Sequence, residues 1–135
     1  MLTFMLMKPI IILFFGLMTG PFNEWNAFFK HYHPQTLYKA KGKASFYADK
    51  FNGRRTSSGE KFSNDSLTAA HKYLPFGTRL IVKNLKNDSV VVVRINDRLP
   101  KKSSRTIDLT KAAARKLNFI KSGITQVYIE ELVEF

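Results

Sequence analysis

From Lys43 onward short β-type runs alternate with polar turn segments, a texture that predicts strands. The first run is Ala44-Ser45-Phe46-Tyr47-Ala48, and the domain is read as starting here. Residues 52–60, Asn-Gly-Arg-Arg-Thr-Ser-Ser-Gly-Glu, cannot bury themselves and are read as a surface loop. Leu67-Thr68-Ala69-Ala70-His71 predicts a short strand, and Leu74-Pro75-Phe76-Gly77 a turn into the next. Residues 78–85 and 88–95 form the clearest hairpin, with Lys86-Asn87 as a two-residue turn. Its second arm carries valine at every position from 90 to 93, apolar on both faces, which calls for a closed barrel or a sheet capped by a helix. Thr110 is placed to N-cap a short helix over 111–117, rich in good helix formers. Gly123 then breaks the chain before a last strand over 125–133, with Val127, Ile129 and Glu131 on one face. Five or six strands and one small helix predict an all-β domain, a compact β-barrel.

Upstream the texture differs. Residues 1–20 are almost wholly apolar with Lys8 as the only charge, which reads as an export signal. The apolar run from 9 to 18 is shorter than the roughly 20 residues a spanning helix needs. An uncleaved anchor, and with it membrane attachment, stays open. Residues 21–40 carry aromatics, His31, His33 and Pro34 without a period, as a linker or wrap-around segment would. The expected division is therefore 1–20 leader, 21–40 linker and 41–135 barrel. His31 and His33 have no carboxylate or thiolate beside them, so no metal site is expected, and no cofactor.

Charge narrows the partner. There are 22 Lys and Arg against 10 Asp and Glu, a net charge of +12, and Lys8 and Glu24 cancel within the first 27 residues. The excess belongs to the folded part, which suits a polyanion: nucleic acid, acidic lipid or the acidic bacterial wall. No nucleic-acid-binding motif is present, so nucleic acid is not the expected partner. The absence of cysteine excludes disulfides and thiol chemistry.

The chemistry centres on residues 90–110. Asp97 and Asp108 each sit at the end of, or inside, a short β-branched apolar run, so two strands could hold both acids while a basic loop joins them. Fixed carboxylates of this kind suit acid–base work on a sugar polymer. An aspartate two residues before Thr110 would also stabilise a helix start. Glu60 is the only acid of its loop, and His71 falls at a strand end.

Gly59-Glu60, Leu67-Thr68-Ala69-Ala70-His71, Leu74-Pro75-Phe76-Gly77-Thr78, the run Val91-Val92-Val93-Arg94-Ile95-Asn96-Asp97-Arg98, and Ile107-Asp108-Leu109-Thr110-Lys111-Ala112-Ala113-Ala114 closely resemble the rare lipoprotein A family of septal-ring lytic transglycosylases. The resemblance implies a six-stranded double-psi β-barrel with one or two short helices, the fold shared with expansins. It implies peptidoglycan glycan strands as partner. The bond between N-acetylmuramic acid and N-acetylglucosamine would be cut without water, leaving a 1,6-anhydromuramoyl end, with stem-poor strands preferred. Asp97 matches the family's essential aspartate, His71 its essential histidine, Glu60 the acid of the Gly-Glu motif, and Asp108 an aspartate that expansins also keep. Asp97, His71 and Glu60 are thus the candidate catalytic residues, and Asp108, Asn96, Arg98 and Thr56 the candidate substrate-binding ones.

A single carboxyl that protonates the leaving oxygen and then takes the C6 proton would satisfy this chemistry. Asp97 would serve best with its pKa raised by an apolar wall or a neighbouring carboxylate, and with His71 hydrogen-bonded to it or to the sugar. Two departures stand out. Leu99 replaces the family glycine before Pro100, which would strain the loop if that position needs positive φ. The lipobox cysteine and the C-terminal peptidoglycan-binding repeat are not in the sequence, so septal targeting is not carried over. A monomer in the periplasm or cell envelope is expected. The alternative is an expansin-like module that binds the wall without cutting it.

Overall fold

The computed structural model describes residues 37–133; the leader, most of the linker, His31 and His33 lie outside them. Six strands form a closed barrel: β1 (Lys39–Phe46), β2 (Thr68–His71), β3 (Arg79–Asn84), β4 (Val90–Arg98), β5 (Ile107–Leu109) and β6 (Thr125–Glu131), arranged in the order β1-β5-β2-β4-β3-β6. Two pairs are parallel, β1 with β5 and β2 with β4, and the others antiparallel. A 3₁₀ turn (Asp49–Phe51) and one helix, α1 (Lys111–Lys116), complete the elements. Among the described residues no helix is long and apolar enough to cross a membrane.

Alternation builds the interior. Leu80 and Val82 of β3, Val91, Val93 and Ile95 of β4, and Val127 and Ile129 of β6 are buried, while their neighbours along each strand are more accessible. Val90 is half exposed, so β4 is not covered on both sides as its four valines suggest. Closure comes from the pairing of β1 with β6. Strand β2 is buried at all four positions, and its alanines let strands on both sides approach. Ala113 and Ala114 of α1 join the core along with Leu117 and Phe119. The helix begins as its sequence predicts, with Thr110 Oγ1 accepting from the Ala113 N–H.

Three boundaries differ from the sequence reading. Strand β1 starts at Lys39, inside the predicted linker, and Ala40 pairs with Ile129. Its outward Lys39, Lys41 and Lys43 alternate with Ala40, Gly42 and Ala44, residues too small to give a hydrophobic signal. The β3–β4 turn spans 85–89 and not two residues. Asn84 explains this: its Oδ1 accepts from Lys86 N–H and Thr125 Oγ1, and its Nδ2 donates to the Leu117 carbonyl, while Asp88 takes a left-handed φ of 61°. Strand β4 also runs on to Arg98, with a register shift against β2 after Ile95 that makes Asn96 a bulge.

Candidate active site

Asp97 and Asp108 are not on neighbouring strands. Ala70 of β2 stands opposite Asp97 on one side and Asp108 on the other, and Ser45 of β1 continues the rung beyond Asp108. Two strand spacings hold the acids about 10 Å apart at Cα. Residues opposite one another on a ladder share a face, so Ser45, Asp108 and Asp97 do. Tyr47 joins them, two residues beyond Ser45, its N–H donating to the Leu109 carbonyl at 3.0 Å.

Asp97 accepts hydrogen bonds from three residues, Tyr47, Ser57 and Arg98. Tyr47 Oη donates to Oδ2 at 2.6 Å, and the backbone N–H groups of Ser57 and Arg98 donate to Oδ1, each at 2.9 Å. Ser57 is delivered by a loop folded back on itself. Thr56 N–H donates to the Glu60 carbonyl at 2.8 Å, Gly59 turns at φ 89°, and Ser58 N–H donates to the carbonyl of the Asn96 bulge at 3.2 Å. Burial pushes the Asp97 carboxyl up, but the bonds from Tyr47, Ser57 and Arg98 outweigh it and hold the group below the usual carboxylate range. The raised pKa that would serve an acid best is therefore not the direction found here. Burial, with the same bond to Asp97, pushes the Tyr47 phenol far upward.

Glu60 is clamped. The Arg94 guanidinium grips it with Nη1 at 2.5 Å from Oε1 and Nη2 at 2.9 Å from Oε2, and Asn96 Nδ2 adds a bond at 3.2 Å. The Arg94 and Asn96 bonds hold Glu60 below its ordinary pKa. Glu60 therefore stands beside Asn96 as a paired anion and does not raise Asp97. Thr56 keeps its hydroxyl within the loop, bonded to Ser58 Oγ at 2.9 Å and to the Glu60 carbonyl at 3.1 Å.

His71 points elsewhere. It follows Ala70, so it projects to the other face of β2. Its Nδ1 accepts from the N–H groups of Leu74 at 3.2 Å and Tyr73 at 3.4 Å, which leaves the proton on Nε2, 3.2 Å from Tyr38 Oη. Both ring nitrogens are occupied without Asp97, so of the two partners expected for His71, Asp97 or the sugar, Asp97 is not the one it bonds. Burial, with the nearby charges of Arg98 and Lys72, lowers its pKa to about 4.

Asp108 is buried and bound on both oxygens. Ser45 Oγ donates to Oδ1 at 2.5 Å and Arg105 Nη2 to Oδ2 at 2.9 Å; Arg105 Nε approaches Oδ1 at 2.8 Å, though its N–H is not aligned for a hydrogen bond. It does not serve the helix start, where Thr110 and Asn64 Oδ1 take the free N–H groups. The Arg98 guanidinium lies 3.9 Å over the Phe76 ring. Leu99 is buried and unstrained: outside glycine, positive φ occurs only at Asp88 and Asn118 among the described residues. No group of three or more potential metal ligands occurs among them either.

Tyr47, Arg94 and Tyr38 are the partners that sequence reasoning missed. For Tyr47 a signal existed, because Ser45 and Tyr47 are the polar alternates of the first predicted strand and carry its two hydroxyls.

A closed six-stranded barrel with two parallel pairs is the architecture of a double-psi β-barrel. A family model described as lytic transglycolase matches residues 39–129, and the chain belongs to that family. It is 44% identical over 124 residues to the probable endolytic peptidoglycan transglycosylase RlpA of Synechocystis sp., covering 91% of this chain and 37% of that protein. With the endolytic peptidoglycan transglycosylase RlpA of Neisseria meningitidis serogroup A it shares 44% over 107 residues, 77% of this chain and 45% of that one. The RlpA protein of Nostoc sp., also named a probable endolytic peptidoglycan transglycosylase, is 54% identical over 93 residues, 67% and 25% respectively. The chain thus spans less than half the length of these curated relatives. Among solved structures, an expansin from Clavibacter michiganensis matches at TM-score 0.59 and 18% identity over 73% of this chain and 52% of that one. A Streptomyces papain inhibitor matches at 0.57 and 22% over 71% and 96%. These two likenesses concern the fold alone.

Proposed function

We propose that the chain is a peptidoglycan lytic transglycosylase that cleaves between N-acetylmuramic acid and N-acetylglucosamine and leaves 1,6-anhydromuramoyl ends, acting on stem-poor strands. The observation that carries this reading is the Asp97 carboxylate, half-buried at the end of β4 and aimed by Tyr47, Ser57 and Arg98. Hydrolysis of the usual kind needs two working carboxyls, whereas closing the muramic C6 oxygen onto C1 needs one proton-transfer site. Asp97 is that site, with Glu60 already paired to Arg94. Asn96 and Arg98 border the glycan on β4, while Thr56 and Asp108 shape the loop and rung behind. His71 supports the site through the turn after β2 and through Tyr38. The apolar leader would place the protein outside the cytoplasm, in the periplasm or cell envelope, as a monomer, either freed from its signal or held by it.

Digestion of purified sacculi tests this. Wild type is expected to release anhydromuropeptides, more readily from strands stripped of stems, and Asp97→Asn to lower the yield by about 10²–10⁴-fold at unchanged fold. A second reading, a wall-binding module that does not cut, draws on the low pKa of Asp97, which leaves it without the proton an acid must give. Pull-down by sacculi with no anhydro product from wild type would establish that reading instead.

A further inference from the structure

A lytic transglycosylase must give one proton to the leaving oxygen and remove one from the C6 hydroxyl, and Asp97 in the free protein is poised only for the second task. We propose that Tyr47 is a second catalytic residue: the phenol and the Asp97 carboxylate, joined at Oη and Oδ2, together exchange protons with the glycan. This rests on the reading of Asp97 as the proton-transfer site.

The geometry supplies the argument. Oδ1 is committed to two backbone N–H groups, so Oδ2 is the oxygen with capacity to spare, and Tyr47 is bonded there at 2.6 Å. Ser57 also offers Asp97 its hydroxyl, from the loop, whereas Tyr47 presents its own at the end of a strand, from a rigid mount. Its backbone is laddered to Leu109, and its ring lies against Phe62 at 4.5 Å between centroids and edge-on to Phe51 at 5.8 Å. The charged groups facing it are Asp97 from β4, Asp108 from β5 and Arg105 from the loop between them.

The step balances without added reactants. Asp97 Oδ2 takes the proton from the muramic C6 hydroxyl as that oxygen bonds to C1. The C1–O bond to the glucosamine breaks, and the leaving oxygen takes the proton from Tyr47 Oη. As the phenol proton leaves, the proton arriving on Oδ2 passes along the 2.6 Å bond to Oη, and both residues return to their starting states. In this concerted exchange the proton a phenol of raised pKa gives up is replaced as it departs, so no free phenolate forms.

Tyr47→Phe removes the hydroxyl and keeps the ring. Wild type and variant are compared by carbon-13 titration of the Asp97 carboxyl, with the two-dimensional spectrum reporting the fold, and by sacculus digestion across pH. The expected results are an Asp97 midpoint raised by about one pH unit in the variant, a loss of product formation of about a hundredfold or more, and a wild-type rate that falls as pH drops through its Asp97 midpoint. A variant within about threefold of wild type, an unmoved midpoint, or a wild-type rate that rises as pH drops through the midpoint would overturn the role of Tyr47 while leaving Asp97 its own. No anhydro product from wild type would instead overturn the enzymatic reading on which this one rests.

Discussion

His71 owes its neutral state to burial, and this couples stability to pH. The folded pKa is about 4 against an ordinary 6.5, so the unfolded chain binds a proton that the folded chain does not anywhere between them. Stability present at pH 7 is therefore lost as pH falls through this window, by up to roughly 3 kcal/mol. The carboxyls of Asp49, Glu60, Asp97 and Glu130 are all held below their ordinary values. They add their own loss at lower pH, when each is protonated. Urea unfolding at pH 7 and pH 4.5 is expected to show the His71 component, and His71→Ala to abolish it while costing about 2–4 kcal/mol at pH 7, since a cavity opens and two N–H groups lose their acceptor. At this scale the sequence was partly legible. Motif matching located Asp97, His71, Glu60 and Asp108, but their partners come from other strands, and a one-dimensional pattern does not tell which residue lies across a ladder. That is why the pairing of Glu60 with Arg94 and of Asp108 with Arg105 was not read from the sequence.

Strand β1 shows what an element contributes that its sequence conceals. Gly42 lies so close to β5's approach that a Cβ built on it would fall 1.9 Å from Thr106 Oγ1 and 2.9 Å from Thr106 Cβ. Contacts that short require the Thr106 side chain to turn and to give way, close to where β1 meets β5 and Ser45 reaches Asp108. Gly42→Ala is expected to lower stability by about 1–3 kcal/mol in urea unfolding and to loosen the Ser45–Asp108 rung. The elements with strong alternation, β3, β4 and β6, were legible because Leu, Val and Ile mark the inward positions. Strand β1 was truncated because alanine and glycine mark them there, and the β3–β4 turn was shortened because its conformation depends on Asn84 bonding to Leu117 and Thr125 elsewhere in the fold.

For the molecule as a whole, basic charge and barrel closure act together. The lysines of β1 face outward and the loop between β4 and β5 adds exposed Lys101 and Lys102, so the exposed surface carries cations while the acids of the site are mostly paired. Association with an acidic wall is expected to weaken with salt. Between about 0.1 M and about 1 M NaCl the screening length falls from about 10 Å to about 3 Å, and sacculus pull-down should lose at least about tenfold in affinity. An unchanged affinity would point to contacts with neutral sugar. The barrel itself was legible from strand count and from the family resemblance. Its closure was not legible from Val90 to Val93, which alternate in and out like any strand with one wet face.

The ladder between β1 and β6 pairs Lys39 with Glu130 and Ala44 with Thr125, joining the first strand to the last. Loops that long close slowly, since chain entropy is lost before the contacts form. During synthesis β1 has no lasting partner on that side until the final strand has emerged. Tyr47, carried just beyond β1, is tied to β5 through Leu109, so its 2.6 Å bond to Asp97 is mounted from the β5 side, and the later pairing with β6 closes the barrel behind it.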